Sequence, residues 1–243
     1  MVRRRRHQQK DLSLLLHPLR RDIYRLVCEN PGSYFFEIAS TLTAPHGTIS
    51  WHIRKLEQAG LIQSMKFGGK RVYFPKNLRP EEVEKAFVVL KHPTARKIFA
   101  YILNNPDSHQ SQIAKELNLH HDTVRHHTSR MEQVQLVESY KSGRKTCYRL
   151  GPVGKKLQDE SVNSISSSYV GVLLDILEDN CLHPEIEELT PEHLTLRIEC
   201  PGTEDTTLSI SLSQWDFAEF TPDEEENEEQ KYTNQRKTAE EET

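Results

Sequence analysis

No stretch of this 243-residue sequence is apolar for long. The fullest runs, residues 12–16 and 86–90, fall far short of the roughly 20 residues that a membrane-spanning helix needs. The start Met-Val-Arg-Arg-Arg-Arg-His has no apolar core of the secretory kind. No membrane is therefore expected as a partner, and the chain is expected in the cytoplasm, or in the nucleus of a eukaryotic source. Cysteine is sparse and unpatterned. Cys28, Cys147, Cys181 and Cys200 make no C-x-x-C or C-x-C pair, which argues against a zinc knuckle or disulfide framework and for reduced thiols behaving as small apolar residues. A phosphate-cradling glycine loop, a nucleophile motif and a His-Glu-x-x-His zinc helix are all missing, so no catalytic residue, cofactor or resident metal is expected. With 35% hydrophobic residues, the chain can bury one or two small cores, and its length suggests more than one domain.

Charge is unevenly spread. Residues 1–150 hold 26 Lys+Arg against 13 Asp+Glu, a net of +13, while residues 151–243 hold 6 against 23, a net of −17. The modest total of −4 is the difference of these two large numbers. A basic two-thirds points to a polyanion as partner of that part, and the acidic remainder does not share it.

Along the chain, Arg3 to Arg6 form a basic arm ahead of any periodic pattern. Leu12, Leu15, Leu16, Leu19, Ile23, Leu26 and Val27 then recur at helical spacing around His17-Pro18, which reads as two helices meeting there, and Asn30-Pro31-Gly32 stops the second. Ser33 is placed to cap a helix carrying Phe36, Ile38, Ala39 and Leu42, and a turn at Thr43-Ala44-Pro45 leads into another at residues 47–62. Short helix, tight turn and second helix make a helix-turn-helix. In that second helix Ile49, Ile53 and Leu56 share one face, and Thr48, Ser50, Trp51, Arg54 and Lys55 fall on the others. Gly68-Gly69 between two extended runs predicts a hairpin, a β-wing with Lys66, Lys70 and Arg71 at its basic tip.

The same organisation returns 75 residues later. Arg96 stands over Arg21, Asn105-Pro106 over Asn30-Pro31, Ile113-Ala114 over Ile38-Ala39, His121 over His46, Thr123 over Thr48 and His127 over His52. Gly143, Lys145 and Tyr148 match Gly68, Lys70 and Tyr73, and the second wing carries Lys141, Arg144 and Lys145. Agreement without insertion implies a duplicated fold. Between the copies, residues 81–90 read as a helix whose three early glutamates suit the positive end of its dipole. Beyond Leu150, one or two helices with a serine-rich middle precede two strands, residues 194–200 and 207–213, around Pro201-Gly202. From Asp223 the composition is that of a disordered acidic tail.

The expected architecture is thus mainly α with small β-wings, an α+β class. It comprises a basic arm (residues 1–10), two tandem winged helix-turn-helix domains (11–80 and 81–157), a C-terminal helix and β-hairpin region (158–221) serving dimerisation or regulation, and the acidic tail (222–243).

The motifs H-P-x-R-R-x-I-Y from His17, E-I-A at residues 37–39, G-T-I-S-W-H-I-R-K-L-E-Q-A-G-L-I at 47–62 and G-G-K-R-V-Y-F-P at 68–75 resemble those of ArsR-like winged helix-turn-helix regulators. The whole chain most resembles the archaeal regulators that carry two such domains in tandem, over about residues 11–157. The resemblance implies a transcription regulator that binds double-stranded DNA, with His46, Thr48, Ser50, Trp51, Arg54 and Lys55 of the first copy at the major groove. In the second copy His121, Asp122, Thr123, Arg125, His126, Ser129 and Arg130 take that role, and the wing cations sit at phosphates. Arg54 and Arg125 suit base readout, since arginine can meet guanine in bidentate fashion. Two features depart from the pattern: Gln135 replaces the usual glycine before the wing, and Thr128 stands at an apolar position.

Trp51 is expected to pack between its helix and the wing, with stacking at the DNA surface as the other reading. His52 and His127 belong to the packed side. The cluster His120-His121 and His126-His127 raises a metal- or redox-responsive repressor, but no pair in it has the three- or four-residue spacing of ligands on one helical face. A tandem winged-helix scaffold that binds protein is the alternative from another class, and a homodimer through residues 158–221 is a further expectation.

Overall fold

A computed structural model describes residues 14–76, 81–159, 162–180, 182–190, 192–199 and 204–213. The arginine arm, Cys181, Cys200, the Pro201-Gly202 turn and the acidic tail fall outside these described residues.

The first copy runs α1 (Pro18–Glu29), β1 (Ser33–Tyr34), α2 (Phe35–Thr41), α3 (His46–Ala59), β2 (Ile62–Phe67) and β3 (Lys70–Pro75). Pro18 opens α1, where its missing N–H costs nothing and its fixed φ favours the helix. Ile23, Tyr24, Val27 and Cys28 form the buried face of α1, and Ile49, Ile53 and Leu56 that of α3. Each such aliphatic side chain contributes about 1.5–3 kcal/mol when fully buried. Residues 14–16 form turns, so the helix expected before His17 is not seen in the described part. Ser33 is not a helix cap either. Its hydroxyl donates to Asn30 O at 2.6 Å while its backbone pairs with Tyr73 in β1, and Tyr34 is the N-cap of α2.

The second copy repeats this almost residue for residue: α5 (Pro93–Asn104), β4 (Ser108–His109), α6 (Gln110–Glu116), α7 (His121–Gln133), β5 (Val137–Ser142) and β6 (Lys145–Leu150), with α4 (Glu81–Leu90) between the copies. Each copy has a three-stranded antiparallel sheet, ordered β1-β3-β2 and β4-β6-β5. The register repeats too, with Ser33 opposite Tyr73 and Ser108 opposite Tyr148. Ser108 repeats the Ser33 contact by donating to Asn105 O at 2.7 Å.

Where the copies differ, the second carries strain or a substitute contact. Gly60 ends α3 in the left-handed region at φ 78°, and Gln135 must adopt φ 58° at the equivalent place. Thr128, buried where the first copy has Ile53, donates its hydroxyl back to Val124 O at 2.9 Å, which satisfies a polar group the core would otherwise strand.

Helix α4 has a charged start and an apolar C-terminal half. Val83, Ala86, Phe87, Val88, Val89 and Leu90 are all buried, as a helix wedged between packed elements requires. It contacts α5, α7 and α8 (Pro152–Asp159), while Val88 also lies against Phe74 and Gly32 of the first copy. Glu84, one of the three early glutamates expected to suit the helix dipole, is buried, and Gln63 of β2 donates to its carboxylate.

The C-terminal region consists of α8, α9 (Val162–Asp179) and an antiparallel meander of β7 (His183–Leu189), β8 (His193–Glu199) and β9 (Thr206–Ser211). On β8, Leu194, Leu196 and Ile198 alternate inward, and β9 adds Leu208 and Ile210. This region docks on α1. β9 packs along it, Arg21 Nη1 donates to Thr206 Oγ1 at 3.4 Å, and Tyr24, Tyr169 of α9 and Cys28 form one buried hydrogen-bonded group. Burial pushes the Cys28 thiol up to about 12, so it stays protonated and unreactive.

Candidate nucleic-acid interface

The candidate side chains occupy the outward face of α3. His46, Thr48, Ser50, Trp51 and Arg54 are exposed and Lys55 is half-buried, whereas Ile49, His52, Ile53 and Leu56 face the core. On α7, His121, Asp122, Arg125, His126 and Ser129 are exposed, and Thr123 and Arg130 are half-buried. Helical periodicity alone achieves this, because apolar residues three and four apart pin one face and leave the polar one free. The structure therefore brings each predicted set together on one helix.

Trp51 departs from its expected place. It is 49% exposed, edge-on to the His52 ring at 4.8 Å, with Lys55 Nζ 5.4 Å from its ring centroid. Half of its indole is thus open to solvent on the polar face of α3. His126 repeats the arrangement, edge-on to His127 at 5.3 Å. Behind them the buried histidines pair across the fold: His52 lies 4.4 Å from the His17 ring, and His127 lies 4.6 Å from the His92 ring. Burial first, then the neighbouring His17 and Arg20, hold the His52 imidazole below its ordinary range, so it stays neutral at pH 7.

The two polar faces are not copies. Arg54 of α3 stands where α7 has Ser129, and Arg125 of α7 where α3 has Ser50. Arg125 is held by Asp122, one turn back, at 2.9 Å, and Asp122 lies 3.6 Å from His120 Nδ1. The first copy has Gly47 where the second has Asp122, so it cannot make that pair. Both members of the Arg125–Asp122 pair are well exposed, and such a pair adds little to stability. Its effect is to orient the guanidinium.

Both hairpins turn through positive φ, at Gly68 and Gly69 in the first and Gly143 in the second. Their cations Lys66, Lys70, Arg71, Lys141, Arg144 and Lys145 are all exposed. Lys70 Nζ stands 5.7 Å from the Tyr34 ring centroid. Lys145 Nζ is 3.1 Å from His109 Nε2, and His109 is the counterpart of Tyr34. Lys141 donates to Thr146 Oγ1 at 2.6 Å. The rings beside Lys70 and Lys145 gave no signal in the sequence, although positions 34 and 109 share the repeat offset. Among the described residues no group of three or more His, Cys, Asp or Glu could hold a metal ion, and no helix is long and apolar enough to cross a membrane.

Residues 17–87 match the family model of an N-terminal HTH domain, and residues 91–138 that of a winged helix-turn-helix DNA-binding domain. An uncharacterized HTH-type transcriptional regulator from Methanocaldococcus jannaschii is 37% identical over 135 residues, which is 56% of this chain and 34% of that protein. The chain thus spans about a third of the length of the curated relative it matches. An ArsR-like transcriptional regulator from Rhodococcus sp. RHA1 of known structure is 22% identical over 40% of this chain and 92% of that one, with a TM-score of 0.33, too slight a likeness to bear on the fold. The first matched span covers the first copy and most of α4, the second covers the helices of the second copy and stops early in β5, and the chain is built on tandem helix-turn-helix domains, each followed by a β-wing.

Proposed function

We propose that the protein is a sequence-specific transcription regulator of double-stranded DNA, with α3 and α7 in the major groove and the two wings on phosphates. The observation that supports this best is the exposed polar face of both helices, each beside a wing tipped with three cations. A major groove admits one such helix, and basic wing tips supply affinity and orientation without reading sequence. Asp122 belongs to the reading by holding Arg125, and a carboxylate can also accept from cytosine. Catalysis plays no part in it.

Two reading helices on one duplex need half-sites about one helical turn, ~10 bp, apart. We assign the C-terminal region, residues 158–221, to pairing two chains, and among its described residues Ile186 and Leu189 on β7 are large apolar side chains left exposed. Sedimentation with and without duplex tests that pairing. Selection of bound sequences from a random duplex pool, followed by binding across a salt series, tests the main reading. An enriched motif and a log affinity falling linearly with log salt are expected. Absence of salt-sensitive retention on any duplex would favour a protein-binding scaffold.

A further inference from the structure

Tyr34 stands at the junction of the two domains. It closes β1 and caps α2, its backbone N–H donating to Glu37 Oε2 at 2.8 Å. Lys70 of the first wing lies 5.7 Å from its ring centroid, and Lys91, from the turn joining α4 to α5, lies 6.0 Å from it. The positive charge of Arg130, on α7, favours ionisation of the Tyr34 hydroxyl, though less than burial and Glu37 oppose it. Two cations from separate elements therefore flank one aromatic ring, and the charge of a third, on α7, acts on its hydroxyl. Glu37 holds Lys91 at 2.6 Å and offsets one of them.

A tyrosine ring attracts cations to its faces, which explains how two ammonium groups are tolerated within about 6 Å of it. It does not cancel their charge, and two positive charges remain in excess of the carboxylate. Such a group favours an anion that can take several N–H donors at once, as a phosphate oxygen set does. Burial, followed by the Glu37 charge, raises the Tyr34 hydroxyl above its usual range, so it remains a neutral donor. In the second domain the equivalent ring is His109, which meets its own wing through Lys145. Lys91 and Arg130 come to Tyr34 from outside the first domain, and so the gathering is a product of how the domains are joined.

We propose that Tyr34, Lys70, Lys91 and Arg130 form one site for a backbone phosphate of duplex DNA, gripped by both domains at once. The site rests on the DNA-binding reading and deepens it: Lys91 and Tyr34 become contacts, and the phosphate fixes how the two domains are oriented on the duplex. Glu37 competes for Lys91 and acts as a brake on that contact. A glutamine at position 37 keeps the oxygen that caps α2 while removing the charge.

The test uses the full chain and one random-sequence duplex, with affinity measured across a salt series for the parent, Lys91→Ala, Arg130→Ala, Glu37→Gln and the Lys91→Ala/Glu37→Gln pair. Lys141→Ala, on the other wing, serves as a reference phosphate contact, and circular dichroism checks folding. Lys91→Ala and Arg130→Ala should each lower the slope of log affinity against log salt by about 0.9, the value of one lost phosphate contact. Glu37→Gln should bind several-fold more tightly, a gain that partial unfolding cannot produce, and the gain should vanish in the double variant. Unchanged slopes for Lys91→Ala and Arg130→Ala, beside a reduced slope for Lys141→Ala, would overturn the site and leave DNA binding standing. A parent protein with no salt-sensitive binding would overturn both.

Discussion

Replacing Gln135 by glycine should make the protein more stable, although it deletes a whole side chain. Gln135 is held at φ 58° by its surroundings. Its N–H donates to Glu132 O at 3.0 Å, and its carbonyl accepts from Val153 N at 3.0 Å. Those bonds fix a left-handed backbone that costs a residue bearing a Cβ about 1–2 kcal/mol. The side chain itself is exposed, so its loss removes little packing. Glycine's greater freedom in the unfolded chain offsets about 0.5–1 kcal/mol of the gain. The net expectation for Gln135→Gly is about 0.5–1 kcal/mol of added stability, read as a higher denaturant midpoint at unchanged m-value. Gly60 occupies the same place in the first domain at φ 78°, with open space where a Cβ would go. The reciprocal Gly60→Gln should therefore cost a similar amount, from backbone conformation and not from a clash. If Gln135→Gly were no more stable than the parent while Gly60→Gln unfolded at the parental midpoint, the backbone argument would be wrong.

Other consequences can be measured separately. A Cβ at Gly154 of α8 would lie 2.2 Å from Leu136 O, so Gly154→Ala should destabilise by about 1–3 kcal/mol. Gly171 of α9 has nothing within 4 Å, so Gly171→Ala should instead gain about 0.5–1 kcal/mol; equal thermal shifts for the two would contradict this. Because burial and its neighbours depress His52, the unfolded chain binds a proton that the folded one refuses. Stability should therefore be full above about pH 6.5 and be lost as pH falls below it. A His52→Gln variant declining as steeply between pH 7 and 5 would assign the loss elsewhere. Arg54→Ala should relax preference at one base pair at a cost of about 1–3 kcal/mol, while Lys70→Ala should weaken all sequences alike. An equal loss on every duplex for Arg54→Ala would make Arg54 a phosphate contact.

The duplicated domains were legible because their signals are local and arrive twice. Apolar spacing in α3 and α7, Pro18 and Pro93 at helix starts, and glycines at both wing turns each follow from the chain itself. What the sequence withheld depends on partners far along the chain. Ser33 looks like a cap until its pairing with Tyr73 is known, and Glu84 reads only as a charge suited to the helix dipole until Gln63 reaches it. β7 was missed because His183–Leu189 has no inward apolar alternation; it is an exposed edge strand with a shift of register between Ile186 and Glu188. Lys91 gave no signal as a candidate contact, since its place beside Tyr34 arises from the packing of α4 between the two domains.

The exchange of arginine and serine between α3 and α7 leaves the two heads unlike. A symmetric pair of identical heads reads a palindrome and cannot tell one end of its site from the other. Unlike heads on one chain lack that ambiguity: turning the protein end for end puts Arg54 where Arg125 belongs. On the proposed reading, the DNA under each chain has a direction, and two chains paired by a two-fold axis would set two such directed sites in opposite senses.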